Sequence, residues 1–155
     1  MLKKQVFKTF DFTIVHSDIN AINGMNDLLR KPNRMSAVTD WPADDVNGDV
    51  LRLLEQRNFD FNSDHEIEFI IDFKGWPLTK TQQAIVLDKL PKASFVDSNS
   101  ELMEAGDPSG YLSFKVKRKL TYDFVVFEMK RLSNLFAELD GFCDSWCVVS
   151  GCGSI

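Results

Sequence analysis

Residues 65–73, HEIEFIIDF, constrain the fold of this chain more than any other stretch. Ile67, Phe69, Ile71 and Phe73 alternate with Glu66, Glu68, Ile70 and Asp72. Side chains two apart in a strand share a face, so the segment reads as a strand with one apolar and one mainly acidic side. The elements after it follow from similar signals. Thr79 with Gln82 is a capping-box pair that opens a helix ending before Pro91. Residues 93–96 suit a short strand, and 97–110, rich in Asp, Ser, Asn, Gly and Pro, suit a loop. In 111–119, Leu112, Phe114 and Val116 alternate with Ser113, Lys115, Lys117 and Lys119. Thr121 caps a helix to Leu139 whose apolar stripe is Val125, Met129, Leu132, Phe136 and Leu139. Asp140-Gly141 stops it, and 142–149 form a last strand.

The order from residue 65 is therefore β-α-β-β-α-β, which predicts an α+β fold. Its expected form is a ferredoxin-like antiparallel sheet with two helices on one face. The first and third strands would lie in the centre, with the fourth beside the first. Glu66, Glu68 and Asp72 would then face Lys115, Lys117 and Lys119 across the open side. The run KVKRK reads as the cross-strand partner of those acids or, alternatively, as a basic docking patch.

Ahead of this frame, Asn47 begins a helix to about Arg57, with Val50, Leu51 and Leu54 as its stripe. Residues 5–16 alternate as one strand through Phe10, Phe12 and Ile14. Ser17 and Asp18 can cap a helix reaching Leu29, and Pro32, Pro42 and Gly48 punctuate a loop with a short strand near 35–38. The expected division is an N-terminal strand-helix extension, 1–40, and a ferredoxin-like domain, 41–155.

The 155 residues, with 13 Phe and 44% hydrophobic content, suffice for a buried core. A net charge of −5 repels phosphate backbones, so direct nucleic-acid binding is not expected. The central strands also show Glu and Lys where an RNA-binding sheet carries stacking rings. No apolar run is long enough to span a membrane, and the N-terminus lacks the apolar core of a secretory signal. Cys143, Cys147 and Cys152 are odd in number and crowded together, which fits a reducing cytoplasm better than a disulfide framework. Their C-x3-C-x4-C spacing has no fourth ligand nearby, His16 and His65 being remote. They read as buried small hydrophobes, with no metal and no cofactor. No phosphate-binding, zinc-protease or nucleophile-elbow motif is present, and His65, between Asp64 and Glu66, reads as a strand boundary rather than a base. Nothing in the residues argues for an enzyme.

The chain closes on LDGFCDSWCV, where Asp144 and Trp146 stand two apart. In a regular strand they share a face. An unpaired carboxylate is costly in a core, so strict alternation turns Phe142, Asp144 and Trp146 outward, beside Glu66, Glu68 and Asp72. An indole among carboxylates suits a cationic partner segment. The competing reading makes Trp146 core and Asp144 a capping or solvated residue.

With these residues laid out, the chain resembles the regulator of ribonuclease activity B family, the ribonuclease E inhibitor proteins. The resemblance covers about residues 41–151. WPADDVNGDVLRLLEQRNFDFNSDHEIEFIIDF is similar to the family's Pro-x-Asp-x-x-Gly-x-x-Leu helix, polar connector and first sheet strand. LDGFCDSWCVVSG is similar to its closing Tyr-Asp-Gly-Trp-Gly signature, with Asp144 and Trp146 on the acid and the tryptophan. The resemblance implies a ferredoxin-like fold, no catalysis, and a bacterial, cytoplasmic regulator that binds a ribonuclease and alters RNA turnover. The chain is expected to depart from the family's named member in lacking a strongly acidic C-terminal tail and in carrying 1–40. Two readings from other classes stand beside it. One is a small-molecule-binding or catalytic ferredoxin-like domain, which needs a concave pocket. The other is a structural homodimer joined through open sheet faces.

Overall fold

The computed structural model describes residues 6–9, 12–15, 41–97 and 110–149, without the side chains of the first two segments or of Asp144. Backbone contacts divide the chain into two compact units, residues 1–60 and 61–155. In the first unit, β1 (Val6–Thr9) and β2 (Phe12–Val15) pair antiparallel, with Thr9 opposite Phe12. The single strand expected over 5–16 is thus a hairpin, because the chain reverses between Thr9 and Phe12. The expected helix reaching Leu29 and the short strand near 35–38 lie outside the described residues.

Helix α1 (Val46–Gln56) begins one residue before the expected Asn47. Asp45 caps it, its carboxylate accepting the Gly48 N–H at 2.9 Å. Gly48 is required for space. A Cβ there would meet the Pro42 carbonyl oxygen at 2.8 Å. Arg52 holds that turn against the helix by donating to the Trp41 and Pro42 carbonyls, each at 3.0 Å, while pairing with Asp49. Leu51 is fully buried. The Asp45-x-x-Gly48-x-x-Leu51 spacing is therefore a helix-entry device, made of a cap, a close backbone approach and a buried anchor.

The second unit is built on β3 (Asp64–Phe73), the strand whose alternation is strictest. Ile67, Phe69, Ile71 and Phe73 are all buried, as that pattern requires. Helix α2 (Lys80–Lys89) starts at Thr79 with both bonds of the capping box formed. Strand β4 (Ser94–Val96) leads towards β5 (Tyr111–Lys119), and the expected loop between them lies largely outside the described residues. Helix α3 (Tyr122–Leu135), capped by Thr121, is followed by a short 3-10 turn, Ala137–Leu139, and then by β6 (Gly141–Val149). The expected helix to Leu139 thus ends at Leu135 and tightens for its last turn. Val125, Leu132 and Phe136 of its stripe are fully buried, whereas Met129 and Leu139 are half-buried.

The four strands form one antiparallel sheet in the order β4-β5-β3-β6. In this unit the first and third strands are central and the fourth lies beside the first, within an α+β architecture. Helix α3 covers the apolar side. Phe124 meets Phe69 edge-on at 5.8 Å, and Phe136 meets Phe73 at 5.8 Å. Arg118 stacks over the Phe124 ring at 4.0 Å. The ammonium of Lys89 donates to the Leu135 carbonyl at 3.2 Å, joining the ends of α2 and α3. Buried Glu128 is matched by the Arg131 guanidinium one turn on. No described helix is long and apolar enough to cross a membrane.

Candidate functional site: the open face of the sheet

Register decides which side chains share the face of the sheet opposite α3. Opposite β3, Lys119 faces Asp64, Lys117 faces Glu66, Lys115 faces Glu68 and Ser113 faces Ile70. The Lys115 ammonium reaches diagonally to Glu66 at 3.5 Å. The KVKRK run is therefore paired across strands at Lys115, while Lys117 and Lys119 extend the basic end of the face. On the other side of β3, Phe142 faces Asp72. The expected grouping of Glu66, Glu68, Asp72 and Phe142 on one face is what the register produces.

At Asp144 the alternation breaks. Ile71 faces Cys143, but the next β3 residue, Ile70, faces Ser145, so Asp144 is the extra residue of a β-bulge. A one-residue insertion moves every later side chain to the opposite face. Trp146 accordingly sits opposite Phe69 and Val148 opposite Ile67, on the side covered by α3. Trp146 is 1% exposed and is among the largest fully buried side chains. The outward placement of Trp146 beside the acids is thus corrected to an inward one. The side chain of Asp144 lies outside the described residues.

The same shift brings Cys147, which strict alternation puts under the helices, onto the open face opposite Glu68. There Glu68 acts as a hub. The Ser113 hydroxyl donates to one carboxylate oxygen, and the Cys147 thiol donates to the other at 3.7 Å. Both donors are buried, so the centre of the face is closed by its own hydrogen bonds. Burial, then the Glu68 charge and its hydrogen bond, push the Cys147 thiol up to about 12, against a smaller opposing effect of Lys115. Burial also raises the Tyr111 phenol, helped by Glu68, Cys147 and Asp72. Cys147 is the residue that sequence reasoning missed here. Only the bulge reveals it, and no residue type announces the bulge. Cys143 and Cys147 leave the strand on opposite faces; Cys152 and His16 lie outside the described residues.

A thiol held this way is a poor nucleophile, because the thiolate is the reactive form. Cys147 in the folded chain is expected to resist iodoacetamide at neutral pH and to label on denaturation, as read by peptide mass spectrometry. The unfolded chain releases this proton near 9.0, whereas the native chain holds it to about 12. Between those values the native state binds more protons, so this contribution is complete below the window and is lost as pH rises through it. Thermal melts across that range should fall more steeply for the parent than for Cys147→Ala.

A family model described as Regulator of ribonuclease activity B matches residues 44–148, from the α1 cap through β6. Comparisons with curated proteins and with solved structures gave no match. The matched stretch is more than half of the chain and contains the helix-entry device, all four sheet strands and the bulged closing strand. The chain belongs to the regulator of ribonuclease activity B family.

Proposed function

We propose that this chain regulates a ribonuclease by direct protein contact, without catalysis of its own, and that the open sheet face is the contact surface. The observation that carries the reading is the family match over residues 44–148. The surface itself is argued from charge. Glu66, Glu68 and Asp72 line one side of β3, and Phe142 adds a half-buried ring next to Asp72. Towards β3's far end the lysines of β5 offset the acids, so the carboxylates near Phe142 are the part best suited to a cationic partner segment. Asp144 belongs to the same strand and is included in the surface. Trp146 supports it from the core.

The β4-β5-β3-β6 order favours a ferredoxin-like frame, with residues 1–40 as an extension and 41–155 as the regulatory domain. The two buried cysteines, Cys143 and Cys147, suit a reducing, cytoplasmic setting.

Capture of partners from native lysate, followed by titration of the purified chain against the captured ribonuclease, tests the reading. Glu66→Lys with Asp72→Lys should weaken binding by about tenfold, since an exposed and a half-buried charge contact contribute roughly 0.5–1 kcal/mol each. The parent affinity should also fall with added salt. Glu68 is left intact in this test because Ser113 and Cys147 depend on it. Unchanged affinity in a folded double variant would remove the open face from the proposal.

A further inference from the structure

Strand β6 is an edge of the four-stranded sheet, with β3 as its neighbour. Its nine residues, GFCDSWCVV, include one acidic residue, Asp144, and no basic one. An extended, aromatic and β-branched edge with so little charge is a template for pairing with a copy of itself. Antiparallel pairing of two β6 strands about a two-fold axis would join two sheets into one.

Two features interrupt that edge at one place. The Ser133 hydroxyl, on the last turns of α3, accepts the Cys143 N–H at 2.9 Å and donates to the Cys143 carbonyl at 3.3 Å. One side chain thereby takes both ladder groups of an edge residue. The bulge at Asp144 follows immediately and bends the strand where the next ladder bonds would form. Ser133 lies in the last turn of α3, and these two hydrogen bonds of its hydroxyl go to β6.

We propose that Ser133 is an edge guard, which keeps β6 from adding to β6 of a second copy of this chain. Freeing two backbone groups, each worth roughly the net energy of one hydrogen bond, should tighten self-association by about tenfold.

The test is sedimentation equilibrium of the full chain over a range of concentrations. Ser133→Ala should associate about tenfold more tightly than the parent, while Ser133→Thr, which keeps the hydroxyl, should match the parent. Val149→Lys in the Ser133→Ala background should abolish the gain, because a lysine on an edge strand opposes pairing. Circular dichroism of each variant checks that the chain stays folded. Parent-like association of Ser133→Ala would overturn the proposal. So would association that persists with Val149→Lys, since the copies would then be meeting elsewhere, or a Ser133→Ala chain that merely loses stability.

Discussion

Trp146→Ala should destabilise the sheet unit by about 3–5 kcal/mol, the range for emptying a buried tryptophan site. The indole is 1% exposed and lies across the ladder from Phe69, whose ring packs on Phe124 of α3. Truncation would leave a cavity between β6, β3 and α3, where regular elements have little freedom to collapse. Chemical denaturation followed by circular dichroism gives the value directly. Trp146→Phe should recover a large part of the loss. A change below about 1 kcal/mol would mean that the indole is not a core side chain, contrary to its register. Any partner affinity lost by Trp146→Ala should follow the unfolded fraction, in contrast with Glu66→Lys and Asp72→Lys, which act on a folded surface.

Gly141→Ala is expected to cost about 1–3 kcal/mol, through crowding rather than through loss of contacts. A Cβ at this position would stand 2.6 Å from Cε1 of Phe73 and 2.8 Å from Cβ of Phe136. The Phe73 ring could move only by giving up its packing on Phe136, and the Cβ of Phe136 is fixed by the end of α3. The left-handed residue of this turn is Asp140, at φ 55°, not the glycine. Asp140→Gly therefore serves as the control, and it should not destabilise. Paired denaturant melts separate the two outcomes: a loss in Asp140→Gly equal to that of Gly141→Ala would place the sensitivity in the turn instead of in the space beside Phe73.

The contrast between these positions shows what the chain discloses before its coordinates are known. Strand β3 was legible because its alternation runs unbroken and its buried residues are large. The α2 capping box was legible because Thr79 and Gln82 interact locally. The pairing of Glu66 and Glu68 with the β5 lysines followed once the element order was read. Helix α3 was anticipated in place but not in its ending, since a 3-10 turn uses the same residues as an α-helical one. The hairpin of β1 and β2 was hidden because two short strands of equal parity resemble one longer strand. Trp146 was misplaced for a sharper reason. Alternation is a counting rule, and a bulge adds one to the count without a distinctive residue. Energetics favoured Asp144 outside, and the assumption that Trp146 must follow it was the step that failed. The indole reaches the core because the strand carries one extra residue just before it.

That slip has a consequence for how the closing motif tolerates change. The residues before Asp144 and those after it keep separate phases, so one position acts as the joint between two frames. A substitution at the joint alters one side chain, and deletion of the joint would restore simple alternation, with Cys143 inward, Ser145 outward and Trp146 still inward. Layers would be exchanged only if Asp144 were kept and drawn into the ladder, which would turn the indole outward and the thiol now bonded to Glu68 towards the helices. The bulge is thus a structural quantity in its own right, and the pairing register constrains this strand as well as its letters do.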